Sequence, residues 1–283
     1  ACSIKFSIIF SICRRLRDVH ASILEKPFEM IRPLKSVTTG SLVLLLLTAP
    51  VLISGTRSSI NEETPAINTT TTLSPAAKSS KQLVHEEAMV IYDSMNLKRF
   101  GLSEKAFQFA WQGYKYLLEK GRISNTDVLS ICDFSQSSRR KRLYIIDVQE
   151  MKVLVNTYVA HGRNSGGEYA RSFSNNPESH KSSLGFYITR STYWGGHGLA
   201  LNIDGVERGI NDKADRRNIV VHGSQYVGSN FLRNNKFNGR SYGCPAVPAK
   251  DTDKVINTIK DGSCLFIYHP TKRYLQQSKI LNG

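Results

Sequence analysis

The spacing of apolar positions divides the chain into a helical part and a later strand-rich part. Between residues 84 and 120, apolar side chains recur every three or four positions, as on one face of a helix. Ser103 is the predicted N-cap of the second helix there, and Gly121 its stop. From residue 128, short runs rich in Val, Ile and Tyr are bounded by Gly, Asn, Asp or Ser, which is typical of strands. We therefore predict a mainly β (α+β) domain with a short N-terminal helical segment.

The strand-rich part contains seven predicted strands and one predicted helix. Residues 251–260 have the apolar spacing of a surface helix. Gln149-Glu150-Met151 separates the second strand from the third, which predicts a hairpin. The predicted strands cover residues 128–134, 143–148, 152–160, 185–189, 199–203, 218–222 and 264–268.

The first 55 residues have the layout of an upstream segment followed by a secretory signal. A basic segment begins at Met30, an apolar run extends to Ile53, and the small residues Ser54 and Gly55 follow. The apolar core spans roughly a dozen residues, fewer than the 20 or so that a transmembrane helix needs. We predict that translation begins at Met30 and that the protein is exported to the periplasm or cell envelope. It would then meet the membrane only through this signal; an uncleaved anchor is the alternative.

The domain boundaries follow from shifts in composition. Residues 56–82 are rich in Thr, Ser, Asn, Pro and Ala, which predicts a flexible linker. Residues 83–127 form the predicted helical preface, and residues 128–275 the predicted strand-rich domain. The net charge of +15 favours anionic surroundings such as nucleic acid, anionic lipid or a cell-wall polymer. No zinc finger or aromatic RNA-binding motif is visible, so nucleic acid is not a predicted partner.

A histidine and a cysteine supply the candidate chemistry. His222 ends a predicted strand, and Cys244 follows 22 positions later in Ser241-Tyr242-Gly243-Cys244-Pro245. A thiol attacks carbonyl carbon as a thiolate, so it needs a nearby base or positive charge. A cysteine between Gly and Pro in a polar loop would pack poorly as a core residue. Cys132 and Cys264 are predicted either to pair or to be buried core residues, and the apolar strand around Cys264 favours the core.

Metal chemistry is not indicated by the histidines. The sequence separations between His161, His180, His197 and His222 match no short zinc motif. We predict neither a metal nor a cofactor.

Taken together, these motifs resemble the L,D-transpeptidase catalytic domain of the YkuD type, in the branch described as murein L,D-transpeptidase catalytic domain proteins. The resemblance runs from about residue 143 to 268, and more loosely back to about residue 84. It implies an L,D-transpeptidase-like β-sandwich or barrel. Its motifs are Leu143-Tyr144-Ile145-Ile146-Asp147-Val148, Ala160-His161-Gly162-Arg163-Asn164-Ser165-Gly166-Gly167, Ser182-Ser183-Leu184-Gly185-Phe186-Tyr187, Gly209-Ile210-Asn211-Asp212, His222-Gly223 and Ser241-Tyr242-Gly243-Cys244-Pro245-Ala246-Val247-Pro248.

The sequence departs from the common pattern of that family around the thiol. Tyr242 stands where the commoner branch has a second histidine, and Pro245-Ala246 replaces a polar pair. The gap between His222 and Cys244 is also somewhat longer. These departures bear on how a substrate carboxylate is recognised more than on the nucleophile.

The resemblance implies an exported cysteine L,D-transpeptidase that acts on peptidoglycan stem peptides. Cys244 would attack the carbonyl of the third stem residue, expel the terminal D-Ala and remain as a thioester. An amine of a second stem would resolve it into a 3-3 crosslink, or a free D-amino acid would exchange with the terminal residue. Two alternatives stay open: an L,D-carboxypeptidase or crosslink hydrolase of the same fold, and a non-catalytic cell-wall-binding module.

The catalytic roles are assigned to three residues. His222 as imidazolium would stabilise the Cys244 thiolate and then protonate the leaving amine. No Asp or Glu lies in residues 220–244, so we expect a backbone carbonyl near Gly223 or Ser224 to accept from the other ring nitrogen. The N–H groups of Gly243 and Cys244 would face the oxyanion.

The substrate-binding residues are predicted from the same segment. Arg240 would hold a stem carboxylate through paired hydrogen bonds; an ordinary loop cation is the alternative. Ser241, Tyr242 and Tyr226 are the other predicted substrate-binding residues.

Overall fold

A computed structural model of the protein describes residues 79–283. The predicted signal segment and most of the predicted linker therefore lie outside the described residues. The first helix of the described part begins at Ser80, because Ser79 caps it. The Ser79 hydroxyl accepts from the Gln82 N–H at 3.3 Å, and the Gln82 side chain accepts from the Ser79 N–H at 2.9 Å.

Within the described residues, the helices ahead of the sheet are α1 (Ser80–Ser94), α2 (Leu97–Phe100) and α3 (Glu104–Glu119). The Ser103 hydroxyl accepts from the Ala106 N–H at 3.1 Å, which confirms the predicted cap of α3. The buried face of α3 carries the aromatic residues that were spaced for it in the sequence, Phe107, Trp111 and Tyr114.

Eight strands form one sheet in the order β3-β2-β1-β8-β4-β5-β6-β7. Neighbours are antiparallel except for the parallel pairs β1–β8 and β6–β7. The strands are β1 (Val128–Asp133), β2 (Leu143–Asp147), β3 (Lys152–Thr157), β4 (Gly185–Gly195), β5 (Gly198–Gly205), β6 (Val220–Ser224), β7 (Ala246–Pro248) and β8 (Cys264–Tyr268). The shorter helices are α4 (Ser229–Leu232), α5 (Thr252–Ile259), α6 (Lys272–Gln277) and α7 (Lys279–Asn282).

The two edges of this sheet meet, so the sheet is nearly closed and barrel-like. Beyond β3, the Ala160 N–H donates to the carbonyl of Ala246 in β7 at 2.8 Å. A second bridge joins Gly162 to Ser241. The predicted β-rich barrel is confirmed, and its closure brings the segment after β3 against the loop that carries Cys244.

The helices and the sheet share one core. Phe186 of β4 stacks on Phe266 of β8 at a centroid distance of 4.2 Å. A Cβ on Gly113 of α3 would lie 1.9 Å from Phe186, so the helix approaches the sheet this closely only because that residue is glycine. Cys132 and Cys264 are buried in the same core and unpaired, as the core interpretation predicted.

Several features differ from the predicted elements. The predicted strand 152–160 ends at Thr157, and the strand predicted at 218–222 lies at Val220–Ser224, so His222 is inside it and not at its end. The predicted strand 185–189 extends to Gly195, because β4 and β5 continue as a long hairpin beyond the barrel wall. β7 has only three residues and ends in Pro248, so it shows no periodic pattern. The helices α4, α6 and α7 were not predicted. Within residues 79–283, none of the helices combines the length and apolar character needed to cross a bilayer.

Candidate active site

One cavity of about 1080 Å³ contains both predicted catalytic side chains. β6 contributes Val220 and His222 to its wall, and the loop before β7 contributes Cys244. The parallel register pairs His222 with Ala246, two residues after Cys244. Cys244 therefore lies beside Val220, two residues before His222 along β6. Two residues of a strand correspond to a rise of roughly 6.6 Å along the backbone.

The sulfur of Cys244 is half-buried and contacts the backbone that leads into β6. The Val220 N–H donates to Sγ at 3.5 Å, and the thiol donates to the carbonyl of Asn218 at 3.5 Å. Among the described residues, no hydrogen bond joins Sγ to His222.

The His222 ring is fixed by its own strand. Its Nδ1 lies 2.9 Å from the carbonyl oxygen of Gly223. A carbonyl can only accept, so Nδ1 carries the proton and Nε2 keeps its lone pair. The acceptor expected near Gly223 is therefore present. A neutral ring held in this tautomer can take a proton at Nε2.

The pKa shifts favour a neutral pair in the free protein. Burial raises the pKa of the Cys244 thiol, although the Val220 N–H and the charge of Arg217 oppose the shift. Burial also lowers the pKa of His222; the Gly223 carbonyl opposes the shift, and His197 adds to it. At neutral pH the structure thus favours a thiol beside an uncharged imidazole, whereas the sequence suggested a preformed thiolate and imidazolium.

Arg217 is a functional candidate that sequence reasoning missed. Its guanidinium donates to neutral groups of the segment before β4, including the carbonyls of Lys181 at 2.5 Å and Ser174 at 2.9 Å. The local signal was the pair Arg216-Arg217 ahead of the strand that carries His222, but its partners are distant in sequence. The charge of Arg217 lowers the pKa of Cys244 against the larger effect of burial, so it would favour a thiolate at this position.

The cysteine turn is held by the Ser241 hydroxyl. Ser241 Oγ donates to the carbonyl of Cys244 at 2.6 Å and accepts from the Gly243 N–H at 3.1 Å. Ser241, predicted to bind substrate, thus uses its hydroxyl within the turn. The Gly243 N–H, predicted to face the oxyanion, is also engaged there, which leaves the Cys244 N–H as the remaining donor of that pair.

Gly243 is required by the turn itself. Its φ of 129° lies in a region that L-residues rarely adopt. A Cβ there would lie 2.9 Å from the Lys181 carbonyl oxygen and 2.9 Å from Ile219 Cδ1. The glycine thus permits close packing against the protein's own backbone.

A buried Arg142 and His161 support the turn from behind. Arg142 Nη2 donates to His161 Nδ1 at 2.8 Å, and Arg142 also donates to the carbonyls of Val159 and Gln136. The His161 carbonyl accepts from the Ser241 N–H at 3.1 Å. Burial, with the charge of Arg142, lowers the pKa of His161 to about 3, so the ring is neutral.

The other predicted substrate residues line the cavity. Arg240 is exposed and donates to the carbonyls of Gly166 at 3.1 Å and Arg163 at 3.3 Å. Tyr242 is 64% exposed and contacts the His180 ring at a centroid distance of 4.5 Å. Tyr226 is half-buried, and burial raises its pKa.

The histidines do not form a metal centre in the described part of the chain. His197 stacks on His222, His180 contacts Tyr242, and His161 bonds Arg142. Residues 79–283 contain no group of three or more His, Cys, Asp and Glu side chains arranged to hold a metal ion.

The family model of the L,D-transpeptidase catalytic domain matches residues 98–268, more than half of the chain. The protein belongs to this family. The match includes α3, the eight strands of the described residues and all three predicted catalytic residues. No curated protein sequence matches this chain.

Solved structures similar to this chain include an L,D-transpeptidase from Mycobacterium smegmatis, with 10% identity and a TM-score of 0.32, covering 50% of this chain and 59% of that one. Another is the helical cell shape determining protein of Campylobacter jejuni, with 16% identity and a TM-score of 0.34, covering 57% of each chain. A third is an L,D-transpeptidase from Mycobacterium tuberculosis, with 13% identity and a TM-score of 0.30, covering 50% of this chain and 58% of that one. The chain spans less than two thirds of each structure, and similarity at this level assigns no role to any residue.

Proposed function

We propose that this protein is an exported cysteine L,D-transpeptidase that acts on peptidoglycan stem peptides through a Cys244 thioester. The observation that supports this most is the shared cavity: it holds a half-buried thiol and an imidazole whose Nε2 is free to accept a proton. Membership of the L,D-transpeptidase catalytic domain family supplies the reaction class.

The reaction begins from the neutral pair. As a stem tetrapeptide binds, the thiol turns from Asn218, gives its proton to His222 Nε2 and attacks the carbonyl of the third residue. The Cys244 N–H donates to the developing oxyanion; one such donor is typically worth about 10²–10³ in rate. The imidazolium then protonates the amine of the terminal D-Ala, which leaves, and a thioester remains.

The second half restores the thiol. The amine of a second stem attacks the thioester carbonyl and passes a proton to His222. The C–S bond breaks, and the sulfur takes that proton back. A free D-amino acid in place of the stem gives exchange, and water gives the L,D-carboxypeptidase reaction.

Incubation of the full chain with disaccharide-tetrapeptides, followed by mass spectrometry of both protein and muropeptides, tests the proposal. We expect an adduct equal to the stem minus D-Ala, with peptide mapping placing it on Cys244. Cys244→Ala should abolish the adduct, and His222→Ala should reduce its rate about 10²–10⁴-fold. Cys132→Ala is the matched control, because that thiol is buried away from the cavity and its loss should leave acylation in place.

The products separate the alternatives. Crosslinked dimers or exchanged terminal residues support transfer; trimmed tripeptides alone would mean a carboxypeptidase, and cleaved crosslinks a hydrolase. An unmodified protein whose Cys244 is alkylated no faster than a free thiol would mean a wall-binding module without turnover.

A further inference from the structure

The cavity that contains Cys244 has an excess of positive charge. One exposed carboxylate, Glu178, lines it, and that group lies 4.0 Å from His180 Nε2. The cations that line it are Arg163, Arg216, Arg217, Lys236 and Arg240. Within residues 79–283, none of these five forms an ion pair with a carboxylate.

The cations come from segments that adjoin the cysteine turn. Arg217 Nη2 lies 3.2 Å from the position that a Cβ on Gly243 would occupy. The Arg163 guanidinium lies 5.4 Å from the ring centroid of Tyr242, two residues before the thiol. A ligand that reaches Sγ therefore meets guanidinium groups from both of these segments.

Unpaired cations in a concave site attract anions more strongly than the same charges on a flat surface. Four of the five are exposed, and the guanidinium groups of Arg163 and Arg216 donate no hydrogen bond within the described residues. Arginine binds a carboxylate through two parallel hydrogen bonds, and a carboxamide lacks both the charge and the second acceptor.

We infer that this site selects stem peptides whose carboxylates are free and discriminates against stems in which they are amidated. The inference rests on the proposed function, which identifies the substrate as a peptidoglycan stem peptide. It adds which charge state of that peptide the site prefers. Selection follows from the two cationic groups beside the thiol: free carboxylates along the stem can pair with them when the scissile carbonyl lies at Sγ.

The test compares two disaccharide-tetrapeptides that differ only at the side-chain carboxyl of the third residue, which is a carboxylate in one and a carboxamide in the other. Their binding to Cys244→Ala, prepared as the full chain, is measured by calorimetry. The carboxylate stem should bind about tenfold more tightly, as for loss of one hydrogen bond to a charged group. The ratio should fall between 0.05 M and 0.5 M salt because exposed charges are screened.

Matched variants locate the effect. In the Cys244→Ala background, the double substitution Arg163→Gln and Arg217→Gln should remove most of the preference, whereas Arg122→Gln, an exposed cation outside the cavity, should leave it intact. Equal binding of both stems, tighter binding of the carboxamide, or a preference that survives the double substitution would overturn the inference. Acylation of the wild-type protein is measured separately, so a stem that binds with the expected preference but never acylates Cys244 would reject the proposed function alone.

Discussion

The imidazole of His197 stacks on the imidazole of His222, with ring centroids 4.7 Å apart and planes inclined by 22°. His197 lies at the exposed tip of the β4–β5 hairpin, whereas His222 is buried in β6. The hairpin beyond the barrel wall thus ends on the proposed general base.

Replacing His197 should change the pH dependence of acylation. His197 lowers the pKa of His222, in addition to burial, so its removal should raise that pKa. Since the base must be neutral to accept the thiol proton, the acidic limb of the rate profile should move to higher pH in His197→Ala. His197→Phe keeps an aromatic ring against His222 but cannot carry a positive charge. Its acidic limb should therefore move as in His197→Ala, and its plateau rate should be higher than that of His197→Ala. Identical profiles for all three proteins would contradict this role.

Gly243→Ala should damage the cysteine turn. Its φ of 129° and the 2.9 Å approach of a Cβ to the Lys181 carbonyl both oppose a side chain. We expect a loss of about 1–3 kcal/mol in unfolding free energy and about 10²-fold in acylation rate, measured by denaturant titration and single-turnover mass spectrometry. Gly196→Ala is the control, because a Cβ there meets nothing within 4 Å. Equal effects of the two substitutions would show that the turn tolerates a side chain.

Ser241→Ala separates positioning of the nucleophile from substrate binding. Loss of the hydroxyl leaves the Gly243 N–H and the Cys244 carbonyl without their hydrogen-bond partner. This should lower the free energy of unfolding by about 1–3 kcal/mol. The acylation rate at saturating stem should fall, while the stem concentration for half-maximal rate stays the same. Ser241→Thr should restore the rate because it keeps the hydroxyl. A change confined to the half-saturating concentration would instead favour direct substrate contact.

Arg217→Gln should make the thiol less acidic. Its charge lowers the pKa of Cys244 against the larger effect of burial, so its removal should raise that pKa further. Alkylation of Cys244 by iodoacetamide should then reach half its maximal rate at a higher pH. Arg217→Lys keeps the charge and should lie between the two, with circular dichroism melts to confirm folding. An unchanged alkylation profile in Arg217→Gln would exclude electrostatic support of the thiolate.

Stability should fall in acid because of His161. Burial and Arg142 lower its pKa to about 3 from the ordinary value of 6.5. Below about pH 6.5 the unfolded chain therefore binds a proton at His161 and the folded chain does not. Each pH unit below that value lowers the free energy of unfolding by up to about 1.4 kcal/mol. His161→Gln, which can still accept from Arg142, should give a flatter dependence of urea unfolding between pH 7 and 4.5. Parallel curves for the two proteins would mean that other groups cause the acid sensitivity.

The sequence predicted the elements whose residues pack locally. β8 was predicted with the observed bounds, since Cys264–Tyr268 is a continuous apolar run buried on both faces. The Ser103 cap of α3 was also found, because capping involves residues three positions apart. β7 was not predicted, because it has only three residues and ends in proline. It is a strand because it pairs with β6 and with Ala160, which are distant in sequence.

The sequence predicted that His222 and Cys244 lie near each other, and both line one cavity, but it did not predict the electrostatics of that cavity. His222 and Cys244 belong to one segment with recognisable motifs. The contribution of Arg217 depends on its contacts with residues 174–183, and that of His197 on the length of a hairpin that extends beyond its predicted strand. The neutral charge state of the pair depends on burial by the whole fold.

The pairing of β1 with β8 has a consequence for the order of assembly. Leu129 lies beside Cys264 in parallel register, so the middle of the sheet unites the earliest and the latest of its strands. Such a distant contact is slow to form because a long intervening loop must first close. The middle of the sheet can therefore be completed only after residues 264–268 have been synthesised, and these residues follow the cysteine turn along the chain.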